Sequence, residues 1–283
     1  MNTVKLVKRL TPVNTLPTRV VRATHLRVYR RFLPRRIHAY CVGMLKSGTH
    51  SVAGLFLRHY RAFHEPNVKQ IVDAVMAEKS AKMNEMDRRD FVRARDRRLW
   101  LEFDSSAFNV FFLDTIVQEF PEAKFILPIR DCYSWVDSVF NHKRGREVPV
   151  YLQAFLSHWF RAPSDCLPEE KPLLQYNLFP LTTYLKAWER HNRYVIDTVP
   201  NDRLLVVRTN DIAHSLPEIA RFLEIPVETL DYSRSHSFRA PRKFGTLLEM
   251  DTDFVDRNAQ EICGDLMQQY FPDIKTVGDA VRR

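Results

Sequence analysis

A chain of 283 residues, 45% hydrophobic and 27% charged, can bury a sizeable core. No run reaches the ~18 apolar residues that span a bilayer, no apolar signal core follows the N-terminus, and the four scattered cysteines contain no CxxC pair. A membrane-spanning chain and a disulfide scaffold are thereby excluded, and a reducing, cytoplasmic setting with free thiols is expected. The charge of +9 is lopsided: residues 1–38 hold ten Lys and Arg and no Asp or Glu, and the rest holds 33 basic against 34 acidic residues. The chain therefore reads as a basic N-terminal arm, 1–37, and one nearly neutral domain, 38–283. The arm suits an anionic surface, or is a solvated extension that packs through Tyr29, Phe32 and Leu33. It is expected to be dispensable for catalysis.

Ala39-Tyr40-Cys41-Val42 is an apolar run of strand length. It breaks at Gly43, passes through Met44-Leu45-Lys46-Ser47-Gly48-Thr49-His50-Ser51, and resumes at helical spacing with Val52, Leu55 and Phe56. Phe63-His64-Glu65-Pro66-Asn67 follows; the proline ends an extended segment, and Asn67 is placed to cap a helix over about 68–79. In 84–98, Glu85, Asp87, Asp90 and Asp96 interleave with arginines, which predicts a solvated helix rather than a nucleic-acid patch. Trp100–Asp104 reads as a strand capped by Ser105 or Ser106, followed by a helix over 108–120. Lys124–Arg130 reads as a core parallel strand that ends near Pro128, and Asp131 caps the helix after it. Residues 149–200 read as helical with a break over 163–180, the candidate for a substrate-facing lid. A strand over 203–207 and helices over 216–223 and 252–270 complete an α/β fold, a central parallel sheet flanked by helices. Ligands of such sheets sit beyond the carboxyl ends of the strands.

A strand, a glycine-bounded loop and a helix point backbone N–H groups at an anion. Lys46 adds a positive charge, and Thr49 and Ser51 add hydroxyls. Gly43 and Gly48 share the spacing of the nucleotide-triphosphate loop, but Thr49 and His50 stand where its lysine and hydroxyl belong.

Two stretches together resemble a sulfotransferase. GMLKSGTHS is similar to the 5′-phosphosulfate loop of enzymes that use 3′-phosphoadenosine-5′-phosphosulfate (PAPS), with Lys46 in the lysine position. KFILPIRDCYSWVDSVFNH resembles the family's 3′-phosphate motif, a strand ending in arginine with a serine eight residues later, here Arg130 and Ser138. RLLVVRTNDIAHSLPEIARFLEIP is similar to the late strand-and-helix segment, with Thr209-Asn210-Asp211 departing from its usual Tyr-Glu-Asp. Arg242-Lys243-Phe244-Gly245 resembles the C-terminal Arg-Lys-Gly loop without its strict order.

The resemblance implies a P-loop-like sulfotransferase fold and sulfuryl transfer from PAPS to an acceptor hydroxyl, leaving 3′-phosphoadenosine-5′-phosphate (PAP), with no metal. It implies donor contacts from Lys46, Ser47, Gly48, Thr49, His50, Ser51, Arg130, Ser138, Arg242 and Lys243. Lys46 would neutralise the leaving oxygen. A base must take the acceptor's proton. Glu65 is the first choice, since family branches place a glutamate after the second strand; Asp104 and His64 are the alternatives, and His50 and His142 complete the candidates. The acceptor, a small molecule, lipid or glycan, is not specified by the sequence, nor is the oligomeric state, and no specific nucleic acid is expected. Two other readings stay open: a small-molecule P-loop kinase using ATP, and a non-enzymatic basic-armed binding protein.

Overall fold

The computed structural model describes residues 34–144, 147–161, 163, 166–234 and 244–281. In chain order the elements are β1 (Ala39–Cys41), α1 (Thr49–Phe56), β2 (Ala62–His64), α2 (Val68–Lys79), α3 (Glu85–Leu99), β3 (Phe103–Ser105), α4 (Leu113–Glu119), β4 (Lys124–Ile129), α5 (Cys132–Lys143), α6 (Val150–Phe160), α7 (Lys171–Leu174), α8 (Leu181–Thr198), β5 (Leu204–Arg208), α9 (Leu216–Leu223), α10 (Thr252–Tyr270) and α11 (Val277–Val281). The five strands form one parallel sheet in the order β2-β3-β1-β4-β5. All their carboxyl ends therefore share one edge. Side chains alternate across the sheet. Ala39, Cys41, Phe103 and Ile126 join Val52, Leu55 and Ile219 in one core, under α1 and α9. Tyr40, Val42, Phe125 and Leu127 join a larger core with residues of α2, α5, α8 and α10.

Three local features differ from the expectation. The stretch expected to be one helix over 108–120 is split into a 3₁₀ turn, Ala107–Phe112, and α4. Asn67 occupies the cap position of α2 but is left-handed, φ 59°, and its side chain makes no capping bond. β4 runs on through Pro128, which pairs in register with Val207 of β5. The reason lies on the β1 side, where paired residues end at Cys41 and Ile126 and the next bond is Val42 N–H to the Ile126 carbonyl at 2.9 Å. A regular parallel ladder would next bring the N–H of residue 128 to the Val42 carbonyl. Proline has none, and His191 Nε2 of α8 lies 2.9 Å from that carbonyl instead.

The described end of the arm is packed at the opposite edge of the sheet. Arg35 pairs with Asp96 at 2.7 Å and stacks on Trp100, and Arg36 binds Glu102, a fully buried carboxylate, at 2.9 Å. Among the described residues no helix is long and apolar enough to cross a membrane.

Candidate functional site

The chain leaves β1 at the carboxyl edge and turns through 43–48 into α1. Gly43 is required by crowding: a Cβ there would lie 2.5 Å from Pro128 Cγ and 2.7 Å from Ser47 Oγ. Lys46 and Gly48 are both left-handed, φ 65° and 96°, and a Cβ on Gly48 would meet Ile212 Cδ1 at 2.9 Å. A left-handed lysine is uncommon and costs conformational energy, a feature that concentrates at functional sites. Three later segments hold the turn in place. Trp135 donates its indole N–H to the Leu45 carbonyl at 2.7 Å. Thr209 donates its hydroxyl toward the carbonyls of Ser47, at 2.7 Å, and Ile129, at 3.0 Å. Ser105 donates to the Thr49 carbonyl at 2.8 Å.

The start of α1 suits an anion. Gly48 caps it without a side-chain bond, and its first turn carries no acidic residue. The first N–H groups of a helix have no intrahelical acceptor, and the helix dipole adds positive potential there. Ser47 turns its hydroxyl and its N–H back to the Met44 carbonyl, at 2.7 and 3.1 Å, so it builds the loop. Thr49 is buried with Oγ1 3.1 Å from His64 Nε2, His50 is exposed with its ring 5.0 Å from His64, and Ser51 is half-buried on the same turn.

β2 ends beside this turn. Glu65 is left-handed, φ 52°, although it precedes a proline, and its N–H bonds the Ser105 carbonyl at 2.7 Å. Burial raises its carboxyl above the ordinary range, and no cation among the described residues offsets the lost hydration. Burial, and then His50, lower the His64 ring to about 4, so it is neutral at pH 7. Asp104, on β3, is a buried carboxylate held by Arg95 at 2.5 Å. His142 lies in the last turn of α5.

β4 delivers the second cation. Arg130 follows its last residue, and Trp188 fixes the Arg130 carbonyl at 2.9 Å. Burial lowers the Arg130 guanidinium, opposed by Asp131 and Asp137. Asp131 caps α5, and Ser138 lies buried one turn beyond Ser134. Arg242 and Lys243 lie outside the described residues. Phe244 next to them bonds the Asn141 side chain at 2.5 Å, and Arg144 stacks on Phe244 and Tyr176. The structure thus gathers Lys46, the start of α1 with Thr49 and His50, and the end of β2 with His64 and Glu65, sets Arg130 and Ser138 after the neighbouring β4, and ties Asp104 into an ion pair. Sequence reasoning passed over Trp135 and His191, which lack a local signal, and noted Thr209 only as a departure from a motif.

A family model described as a sulfotransferase domain matches residues 40–239, more than two thirds of the chain. The chain belongs to the sulfotransferase family. The matched span contains the loop after β1, Arg130, Glu65 and all five strands but for one residue of β1. Among solved structures it is similar to a sulfotransferase from Alicyclobacillus acidocaldarius, at 16% identity and a TM-score of 0.44 over 80% of this chain and 94% of that one. It is also similar to mouse sulfotransferase SULT7A1 complexed with PAP, at 16% identity and a TM-score of 0.43 over 87% and 90%. No curated protein matches it.

Proposed function

We propose that this sulfotransferase uses PAPS as donor and transfers its sulfuryl group to an acceptor hydroxyl. The reading rests on one observation: the uncapped start of α1 and the Arg130 guanidinium stand after adjacent parallel strands, β1 and β4, at one edge of the sheet. Two anion-binding positions of that kind suit a nucleotide with phosphate at both ends. When bound, the donor supplies a sulfuryl group on a phosphate leaving group. N–H groups of the first turn of α1, with Thr49 and Ser51, hold its 5′ end, and Arg130 and Ser138 hold its 3′-phosphate. The exposed His50, and Arg242 and Lys243, complete the proposed contacts.

Glu65 is the proposed base, ahead of His64 and Asp104. Its raised carboxyl holds a proton better than an exposed one, whereas Asp104 is committed to Arg95 and His64 to Thr49. As the acceptor oxygen bonds to sulfur, its proton passes to Glu65, the bond from sulfur to the bridging oxygen breaks, and that electron pair leaves with PAP. The Lys46 ammonium neutralises the charge that forms there. The four free cysteines support a reducing, cytoplasmic setting. The test is calorimetric titration of wild type and Arg130→Ala with PAP, in chelator without Mg²⁺. Micromolar binding, weakened at least about tenfold by the substitution, is expected. Absence of PAP binding, with ATP and Mg²⁺ bound instead, would replace this reading with a kinase.

A further inference from the structure

Arg130 and Asp131 are adjacent in sequence and opposite in charge. A direct ion pair between them would occupy the guanidinium edge that a phosphate needs. Ser134 stands between them. Arg130 donates from Nε to Ser134 Oγ at 3.0 Å, and Ser134 donates its own hydroxyl proton to Asp131 Oδ2. Asp131 Oδ1 accepts the Ser134 backbone N–H at 2.8 Å, so residue 134 engages both oxygens of a carboxylate only 2% exposed. Among the described residues, Nε is the one side-chain nitrogen of Arg130 in a hydrogen bond, and Arg130 forms no direct ion pair.

We propose that Ser134 is a positioning residue for phosphate recognition by Arg130, setting the preference for a 3′-phosphorylated nucleotide without touching it. The inference rests on the donor reading above. A serine oxygen is neutral: it orients Nε without cancelling the guanidinium charge, and it occupies the carboxylate that would otherwise do so. The Nη1–Nη2 edge is thereby left for the phosphate. Without the hydroxyl, Asp131 Oδ2 loses its partner beside a half-buried cation, and the adjacent Arg130 is the cation open to it.

The test titrates the full chain with PAP and with AMP, which lacks the 3′-phosphate, in wild type, Ser134→Ala, Ser134→Thr and the double variant Ser134→Ala/Asp131→Asn. Ser134→Ala keeps the backbone cap and is expected to lose about tenfold in PAP affinity with AMP unchanged. Ser134→Thr retains the hydroxyl and the PAP preference. Asp131→Asn removes the competing charge and recovers PAP affinity in the Ala background. Unchanged PAP affinity in Ser134→Ala, an equal loss for PAP and AMP, or no recovery in the double variant overturns the proposal. A Ser134→Ala chain that fails to fold leaves the decision to Ser134→Thr, where loss of PAP preference overturns it. Wild type with no preference for PAP over AMP sinks the donor reading itself, before any variant is compared.

Discussion

His191 supplies to the Val42 carbonyl the hydrogen bond that Pro128 lacks the N–H to make. Burial lowers the His191 ring from 6.5 to about 4, so it is neutral at pH 7 and donates through Nε2. The unfolded chain takes up a proton at this residue as pH falls below about 6.5, and the folded chain does so only near 4. Stability is therefore full above that window and falls as pH drops through it, by about 3 kcal/mol for this residue. His64 shifts in the same direction and adds to the slope. His191→Phe is expected to cost about 1–3 kcal/mol at pH 7, through the orphaned carbonyl, and to flatten the acid slope. Urea midpoints of both proteins from pH 7 to 4 measure this, and parallel curves would contradict it.

Trp135 anchors the loop between β1 and α1, the proposed donor loop, through the Leu45 carbonyl. Trp135→Phe keeps most of the buried ring and removes that donor, so a loss of about 1–2 kcal/mol in stability is expected, together with weaker PAP binding. Thermal melts read the first and calorimetry the second. Stability lost with PAP affinity intact would show that the loop keeps its shape without the bond.

Glu65 is expected to trade stability for activity. Its carboxyl is raised by burial, so its ionised form is disfavoured in the fold, and the resulting stability is present at low pH and lost as pH rises through the raised value. Glu65→Gln should be more stable than wild type at neutral pH, with the gain vanishing below the ordinary 4.5. Because the substitution removes the proposed base, turnover should fall about 10²–10⁴-fold with PAP affinity preserved. Turnover near wild type would shift the role to His64.

The basic arm is testable by where it is cut. Removal of residues 1–33 is expected to leave melting temperature and PAP affinity unchanged and to abolish retention on phosphatidylserine vesicles. Removal of residues 1–38 takes Arg35 and His38 from Asp96 and Arg36 from Glu102, and leaves the buried Glu102 with only the more distant Arg61 guanidinium, at 3.6 Å, so destabilisation by about 1–3 kcal/mol is expected. Equal stability of the two truncations would refute the second part. Unaltered vesicle retention after the shorter cut would refute the first.

The parts of the site legible in sequence are those written locally. An apolar run, two glycines and a resumed helical period announce β1, its loop and α1, and an Asp after a strand announces the start of α5. Asp104 was ambiguous because its partner, Arg95, sits on a different element, and only the packing of α3 on the sheet brings the two within 2.5 Å. The left-handed Glu65 runs against the rule that residues before proline are extended, and the Ser105 carbonyl that holds its N–H is a tertiary partner. Pro128 looked like a strand end because the replacement donor, His191, lies 63 positions further along the chain. Over 151–188 the aromatic residues do not share one environment: Phe155, Trp159, Phe160, Tyr184 and Trp188 are core, Tyr176 and Phe179 are half-buried, and Tyr151 is exposed.

The bonds that shape the loop between β1 and α1 also bear on when it can form during folding. Its fastenings span sequence separations of 90 residues from Leu45 to Trp135, 149 from Val42 to His191 and 162 from Ser47 to Thr209. Contacts so distant close late, because the intervening chain must first give up its freedom. In a nascent or refolding chain the loop between β1 and α1 is therefore expected to take its final shape only once β5 has docked and the Thr209 turn is in place. On the donor reading proposed above, nucleotide binding would then report the last step of assembly, and PAP added at the start of refolding is expected to slow unfolding more than it speeds folding.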